Sequence, residues 1–140
     1  MKTYFLVLAL TLLQGCTVYA RSTYVFEKNE GIPTVLYDLE AIDLAEKVQS
    51  SLASSISSIA RQQYTEFKDL DELKIYLFST KERYSNLSGS TPKARGSAIK
   101  DEIYISPIIR ERIETLESIL VHELSHIHIR QYINLNRHPS

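Results

Sequence analysis

The chain has 140 residues, which suggests a single domain with little room for a second. Its 16 Lys and Arg residues and 17 Asp and Glu residues give a net charge of -1, which argues against a nucleic-acid binder and against an acidic tail. One cysteine excludes an intramolecular disulfide framework and a cysteine-rich zinc module. The fold must therefore be held by core burial, alone or together with a metal.

Residues 1–15 predict an export signal rather than part of the fold. Lys2 precedes an apolar run from Tyr4 to Leu13, which is far shorter than the roughly 20 residues of a membrane-spanning helix. The sequence LQG then leads directly into Cys16, as in a bacterial lipobox. We interpret Cys16 as the lipid-bearing N-terminus of a mature protein anchored in the bacterial cell envelope. The alternative is ordinary signal cleavage after Ala20, which would give a secreted or periplasmic soluble protein.

Residues 16–37 show no clear hydrophobic period, and we interpret them as a tether and lead-in to a domain over residues 38–140. From Asp38, a plausible N-cap, the pattern becomes helical. Apolar residues recur every three or four positions at Ile42, Ala45, Val48, Leu52, Ile56 and Ile59. Six serines between Ser50 and Ser58 make up much of the other face, which we expect to be solvated.

The middle of the chain predicts a small sheet. The segment 73–78 alternates apolar and polar residues and is typical of a strand, whereas the polar stretch 79–93 is predicted to be a loop. Segments 95–99 and 102–106 flank Lys100-Asp101 and predict a β-hairpin. The predicted fold class is α+β, with a long helix, a small antiparallel or mixed sheet containing this hairpin, and a final helix.

The final helix is predicted over residues 108–132. At 100° per residue, one core stripe falls between roughly 120° and 200° from His122. Its members are Ile109, Ile113, Leu116, Leu120, Leu124 and Ile127. His126 lies at about 40° from His122, so both histidines face away from this stripe.

The segment His122-Glu123-Leu124-Ser125-His126 is an H-E-x-x-H motif. Two histidines four positions apart lie one turn apart on the same helix face, so both imidazoles can reach one tetrahedral Zn²⁺. Zinc lowers the pKa of a water molecule towards ~7, and Glu123 can take the proton of that water as general base in amide hydrolysis. Two surface histidines beside a solvated glutamate are the alternative.

The motif and its predicted surroundings resemble zincin metallopeptidases, specifically the gluzincin-like group with bacterial peptidase-MA-type domains. The resemblance implies the N-terminal half of that fold, with the final helix as the active-site helix. It also implies a zinc cofactor, a peptide or protein substrate, and an edge strand that pairs with an extended substrate. The matching edge strand would comprise Arg95, Gly96, Ser97 and Ala98, with Gly96 either leaving room for close approach or forming a simple bulge.

The third zinc ligand departs from this family pattern. Gluzincins supply a glutamate further along the chain, but this sequence has no Asp or Glu after Glu123 and ends at Ser140. His128 points away from the histidine pair on an unbroken helix, so we expect it to serve in packing. Position 132, where a metzincin would place its third histidine, is Tyr132. His138 could fold back as a substitute ligand, and a shortened gene product is the favoured explanation.

These observations predict an exported lipoprotein that resembles a zinc endopeptidase but holds zinc weakly and hydrolyses peptides poorly or not at all. One alternative is a non-catalytic envelope lipoprotein that retains a zincin half-fold as a binding or structural module. Another is a small zinc carrier that uses His122, His126 and His138. Metal content separates the non-catalytic module from the other two, and hydrolysis separates the peptidase from the carrier.

Overall fold

The structure is a computed structural model that describes residues 26–29 and 31–137, without the side chains of Asn29 and of residues 134–137. It has the predicted α+β class. The strands are β1 (Glu27–Asn29), β2 (Thr34–Tyr37), β3 (Lys74–Leu77), β4 (Gly96–Ile99) and β5 (Glu102–Ile105). The α-helices are α1 (Ile42–Gln63), α2 (Lys81–Ser88) and α3 (Leu116–Arg137). In the described part of the chain, no helix is long and apolar enough to cross a bilayer.

The five strands form one mixed sheet in the order β1-β2-β3-β5-β4. Strands β2, β3 and β5 are parallel, whereas β1 runs antiparallel to β2 and β4 runs antiparallel to β5. The predicted strand at 73–78 and the predicted hairpin are confirmed as β3 and as β4 with β5. Because β5 inserts between β3 and β4, β4 lies at an edge of the sheet.

The sheet separates two clusters of apolar side chains, since successive residues of a strand point to opposite faces. Ile75 and Leu77 of β3 point into the main core, where α1 and α3 pack against the sheet and against each other. Tyr76 and Phe78 point to the other face, where α2 adds Tyr84 to a smaller aromatic cluster. The side of the sheet that carries α3 therefore contains most of the core.

The final helix starts later than predicted. Residues Pro107–Thr115 form a 3-10 segment with a kink at Arg112 (φ −146°, ψ 65°), and the α-helix begins at Leu116. Pro107 fits the first turn because amides at that position have no partner within the helix, so the missing N–H of proline costs nothing there. The Ser106 hydroxyl caps the segment by accepting a hydrogen bond from the Ile108 amide. The segment turns the chain from the end of β5 onto the core face.

The predicted loop 79–93 is wrong in its first half, because it contains α2. Thr80 caps this helix by accepting from the Arg83 amide, and Gly89 ends it at φ 68°, a left-handed conformation that favours glycine. Tyr84 is fully buried and anchors the helix on the aromatic cluster. A short helix with one main anchor has too few apolar positions to show a helical period.

The region predicted as a tether and lead-in also differs from the expectation, since it contains β1 and β2. Val35 and Tyr37 of β2 are buried in the main core. Asp38 follows β2 but does not cap the next helix with its side chain. Its buried carboxylate instead accepts from the Ser79 amide and hydroxyl and from Arg83, and so joins the ends of β2 and β3 to α2.

The prediction for α1 holds with two exceptions. Four of the six predicted core residues are buried and Ile56 packs partly buried against the core, but Ile42 is 45% exposed because it lies at the start of the helix. The serine-rich face is not wholly solvated, because Ser55 is fully buried within the main core side of α1. Its hydroxyl is buried without a hydrogen-bond partner among the described residues.

Candidate metal centre

The two faces of α3 determine where the motif points. Leu116, Leu120, Leu124 and Ile127 are buried in the main core, together with Ile109 of the 3-10 segment. Ile113 packs partly buried against the same core. The predicted core stripe is therefore confirmed, and the opposite face carries His122 and His126 into solvent.

The two imidazoles of the motif converge on the exposed face. His122 Nε2 and His126 Nε2 lie 3.0 Å apart, with the ring planes at 88° to each other. A zinc ion held tetrahedrally by two nitrogens at about 2.0–2.1 Å would place those nitrogens about 3.3 Å apart. The pair therefore fits two ligand positions of zinc with only a slight opening. Among the described residues no group of three or more His, Cys, Asp and Glu side chains could hold a metal, so the other ligands are not supplied by this part of the chain.

Glu123 lies beneath the edge strand, next to this pair in sequence. As a residue it is 7% exposed, so most of its side chain is buried. Burial raises the pKa of its carboxyl above the ordinary value, while the charges of His122 and His126 act in the opposite direction. A carboxyl with a raised pKa is a better proton acceptor than an ordinary glutamate, which suits a general base.

Gly96 allows β4 to lie directly over Glu123. A Cβ atom at this position would come within 3.1 Å of Ile119 Cγ2 and within 3.4 Å of Glu123 Oε1. The glycine pairs in regular register with Ile105, so it does not form a bulge. The absence of a side chain therefore sets the spacing between the edge strand and the motif helix.

The other members of the predicted edge segment divide between the two sides of β4. Ala98 packs against the main core, whereas Ser97 points to the opposite face and its hydroxyl accepts a 3.4 Å hydrogen bond from the Tyr84 hydroxyl. Arg95 is exposed and precedes the strand, and its carbonyl accepts from the Ser106 amide. Within the described residues, β4 pairs only with β5, so its outer edge has free backbone groups.

His128 serves in packing, as its position on the helix predicts. It is buried against Phe67, and Nε2 donates to the Thr65 carbonyl. Because a carbonyl can only accept, that bond places a proton on Nε2. The other ring nitrogen, Nδ1, forms a hydrogen bond with Gln63 Oε1. These contacts tie α3 to the loop after α1 and keep His128 away from the metal ligands. Two predicted site residues, Cys16 and His138, lie outside the described residues.

An exposed apolar patch on α3 was not anticipated. Ile129, Tyr132 and Ile133 are 45%, 54% and 43% exposed, and we call them the α3 patch. At 100° per residue, both isoleucines fall within about 20° of His122. The signal was present in the sequence, because these apolar residues lie outside the core stripe and on the side of the histidines.

Comparison of the chain with protein-family models, with curated proteins and with solved structures found no match. The resemblance to gluzincin-like peptidases therefore depends on the motif and the elements around it, and it remains a prediction. What the structure contributes is geometry: it brings His122, His126, Glu123 and Gly96 into one region of the molecule.

Proposed function

We propose that this chain is an exported, lipid-anchored protein with a zinc centre of the metallopeptidase type. The observation that carries this proposal is the convergence of His122 Nε2 and His126 Nε2 at 3.0 Å on an exposed helix face, next in sequence to the mostly buried Glu123. Burial raises the pKa of the Glu123 carboxyl, and the charges of His122 and His126 act on the same carboxyl in the opposite direction. A carboxyl with a raised pKa beside two histidines is typical of functional sites.

Each residue has a separate role in this proposal. His122 and His126 hold the metal through Nε2, and bound zinc supplies Lewis-acid polarisation of the scissile carbonyl. Glu123 would accept the proton of the water that attacks the carbonyl carbon and pass it to the amine nitrogen that leaves when the C–N bond breaks. The short distance between Glu123 and Gly96 places that carboxylate next to the strand that would bind the substrate.

The free edge of β4 supports binding of an extended peptide. Backbone N–H and C=O groups along this edge can form a further ladder, in which affinity comes from main-chain hydrogen bonds. Gly96 exposes the backbone at the point nearest the motif helix. We expect the substrate class to be unfolded or extended polypeptide rather than a small molecule.

Zinc titration into the full chain, without a histidine tag, tests the metal centre. We expect binding that His122→Ala or His126→Ala reduces at least 100-fold, and that mild chelation reverses. The matched control is His128→Gln, which changes a buried histidine outside the pair and should leave zinc affinity nearly unchanged. Equal zinc binding by the parent and the His122→Ala variant would contradict the proposal.

Hydrolysis is tested with an unstructured protein substrate, with Glu123→Gln as the isosteric control. Two histidines alone hold zinc loosely, so we expect a slow rate that depends on a third ligand and that Glu123→Gln abolishes without loss of zinc. His138 is the candidate for that ligand, and His138→Ala would then lower both zinc affinity and rate. Zinc and peptide binding with no hydrolysis would favour the alternative of a non-catalytic binding module.

Membrane attachment is the remaining part of the proposal, and it depends on Cys16. Labelling of expressing cells with a radioactive fatty acid should mark the parent and not Cys16→Ser. Several acyl chains on one cysteine would anchor the protein firmly, since a single chain gives only marginal binding. A mature chain that begins at Arg21 would contradict lipidation.

A further inference from the structure

The central strip of the exposed face of α3, within about 60° of His122, carries no charged side chain among the side chains that the structure describes. The strip includes Ser118, His122, Ser125, His126, Ile129 and Ile133, and its two borders, at about 80°, carry Tyr132 and the positive charge of Arg130. Glu123 is buried on another side, and Arg130 is bound to the Lys100 carbonyl. A central strip without charge can lie against its own copy without like-charge repulsion at the middle of the contact, where a charged strip could not.

The number of zinc ligands on this face also favours contact between two copies of the chain. A structural zinc site takes four protein ligands in a tetrahedron, and this face offers two. Two copies related by a twofold axis bring together two pairs, and each residue then meets its counterpart in an isologous contact. The sum is the four nitrogens that a closed tetrahedral site needs.

We propose that two copies of this chain pair through α3 and share one zinc ion between His122 and His126 of each copy. This inference rests on the proposed zinc binding by the histidine pair. The α3 patch begins one turn beyond His126 and supplies the apolar contact that the metal alone would not. Exposed Ile129 and Ile133 thereby gain a covering partner, which explains two large apolar side chains beside a polar site.

The pairing also has a consequence for the proposed activity. Four imidazoles fill the tetrahedral shell, so a shared zinc has no open position for a substrate carbonyl. The paired form is then the inactive form, and hydrolysis belongs to the single chain. Specific activity should fall as protein concentration rises, which is the opposite of the behaviour of an enzyme that is active as a dimer.

Sedimentation velocity and zinc analysis of the full chain test the pairing, with Cys16→Ser present to prevent intermolecular disulfides. We expect a monomer without zinc, and with zinc a dimer that contains one metal per two chains. His122→Ala combined with His126→Ala should abolish the dimer. Ile133→Lys should weaken it about tenfold or more. The matched control, Ile42→Lys, changes an equally exposed isoleucine on α1 and should leave the dimer unchanged.

The possible results separate this inference from the proposed function. One zinc per monomer would overturn the pairing and leave the metal centre in place. Neither zinc binding nor pairing would overturn both. A dimer that forms equally without zinc, or that Ile133→Lys and Ile42→Lys weaken to the same extent, would overturn the shared centre and the role of the α3 patch.

Discussion

The two faces of α3 differ in burial and in residue type, although they belong to the same helix. The inner face consists of aliphatic side chains such as Leu120 and Leu124, which are fully buried and belong to the main core together with residues of α1 and of the sheet. The outer face carries two histidines and the α3 patch, all exposed. The inner face thus holds the helix in place, and the outer face can carry chemistry because the fold does not depend on it.

The largest expected effect comes from the inner face. Leu120→Ala removes a fully buried side chain and should lower the free energy of unfolding by about 2–5 kcal/mol. Ser118→Ala on the outer face is the control and should change it by less than about 0.5 kcal/mol. Denaturant melts give both values. Similar values for the two variants would mean that the faces are assigned incorrectly.

Changes to the histidines should show the reverse behaviour. His122→Ala should cost about 2.7 kcal/mol of zinc binding, the equivalent of 100-fold in affinity. Because the side chain is exposed, the free energy of unfolding without zinc should change by less than about 0.5 kcal/mol. Calorimetry measures the first quantity and a melt in chelator the second. A large loss of stability in chelator would place His122 in the fold rather than in the site.

Gly96 lies where the edge strand β4 contacts α3, so a change there should affect both the packing of the fold and the candidate site. Gly96→Val would force a side chain against Ile119 and Glu123 and should cost about 1–3 kcal/mol. Ser97→Val introduces the same side chain on the other face of β4 and loses only the long 3.4 Å bond from the Tyr84 hydroxyl, so we expect a cost of about 1 kcal/mol or less. Thermal melts distinguish them. An equal cost for both would indicate that valine disturbs β4 itself and not its contact with α3.

The smallest effect is expected from a surface ion pair. Arg110 bonds to Asp43 at 2.7 Å and lowers the pKa of that carboxyl. A lowered pKa stabilises the fold above the ordinary value of 3.8, and this contribution is lost as the pH falls through the lowered value. Since Asp43 is largely exposed, Asp43→Asn should cost only a few tenths of a kcal/mol at neutral pH. Denaturant melts of the parent and of Asp43→Asn should differ at neutral pH, and this difference should vanish in acid, where Asp43 is protonated.

The inner face of α3 was predictable from the sequence because its apolar residues repeat with helical spacing over many turns. A stripe of six aliphatic residues over five turns leaves one possible orientation, and the positions of the histidines follow from it. The β3 strand and the hairpin were predictable for a similar reason, since alternation and a break identify them. The motif itself needed only its spacing.

The parts that were missed have short or nonlocal causes. Strand β2 has four residues and shows its role only through parallel pairing with β3, forty residues later. Helix α2 depends on Tyr84, whose cluster partners come from β3 and β5. The kink at Arg112 interrupts the backbone, although the spacing of apolar residues in the sequence stays helical across it. None of these contacts can be read from a window of neighbouring residues.

The free edge of β4 has a consequence for solubility. An unpaired strand edge can template pairing with other copies, and proteins limit this risk with short strands and charges at their ends. β4 has four residues and lies between Arg95 and Lys100, both exposed. Two positive charges at the ends of so short a strand oppose stacking of identical edges, where like charges would meet, yet they leave the central backbone open to a neutral or acidic peptide. Replacing both charges would therefore be expected to promote aggregation of an otherwise intact fold.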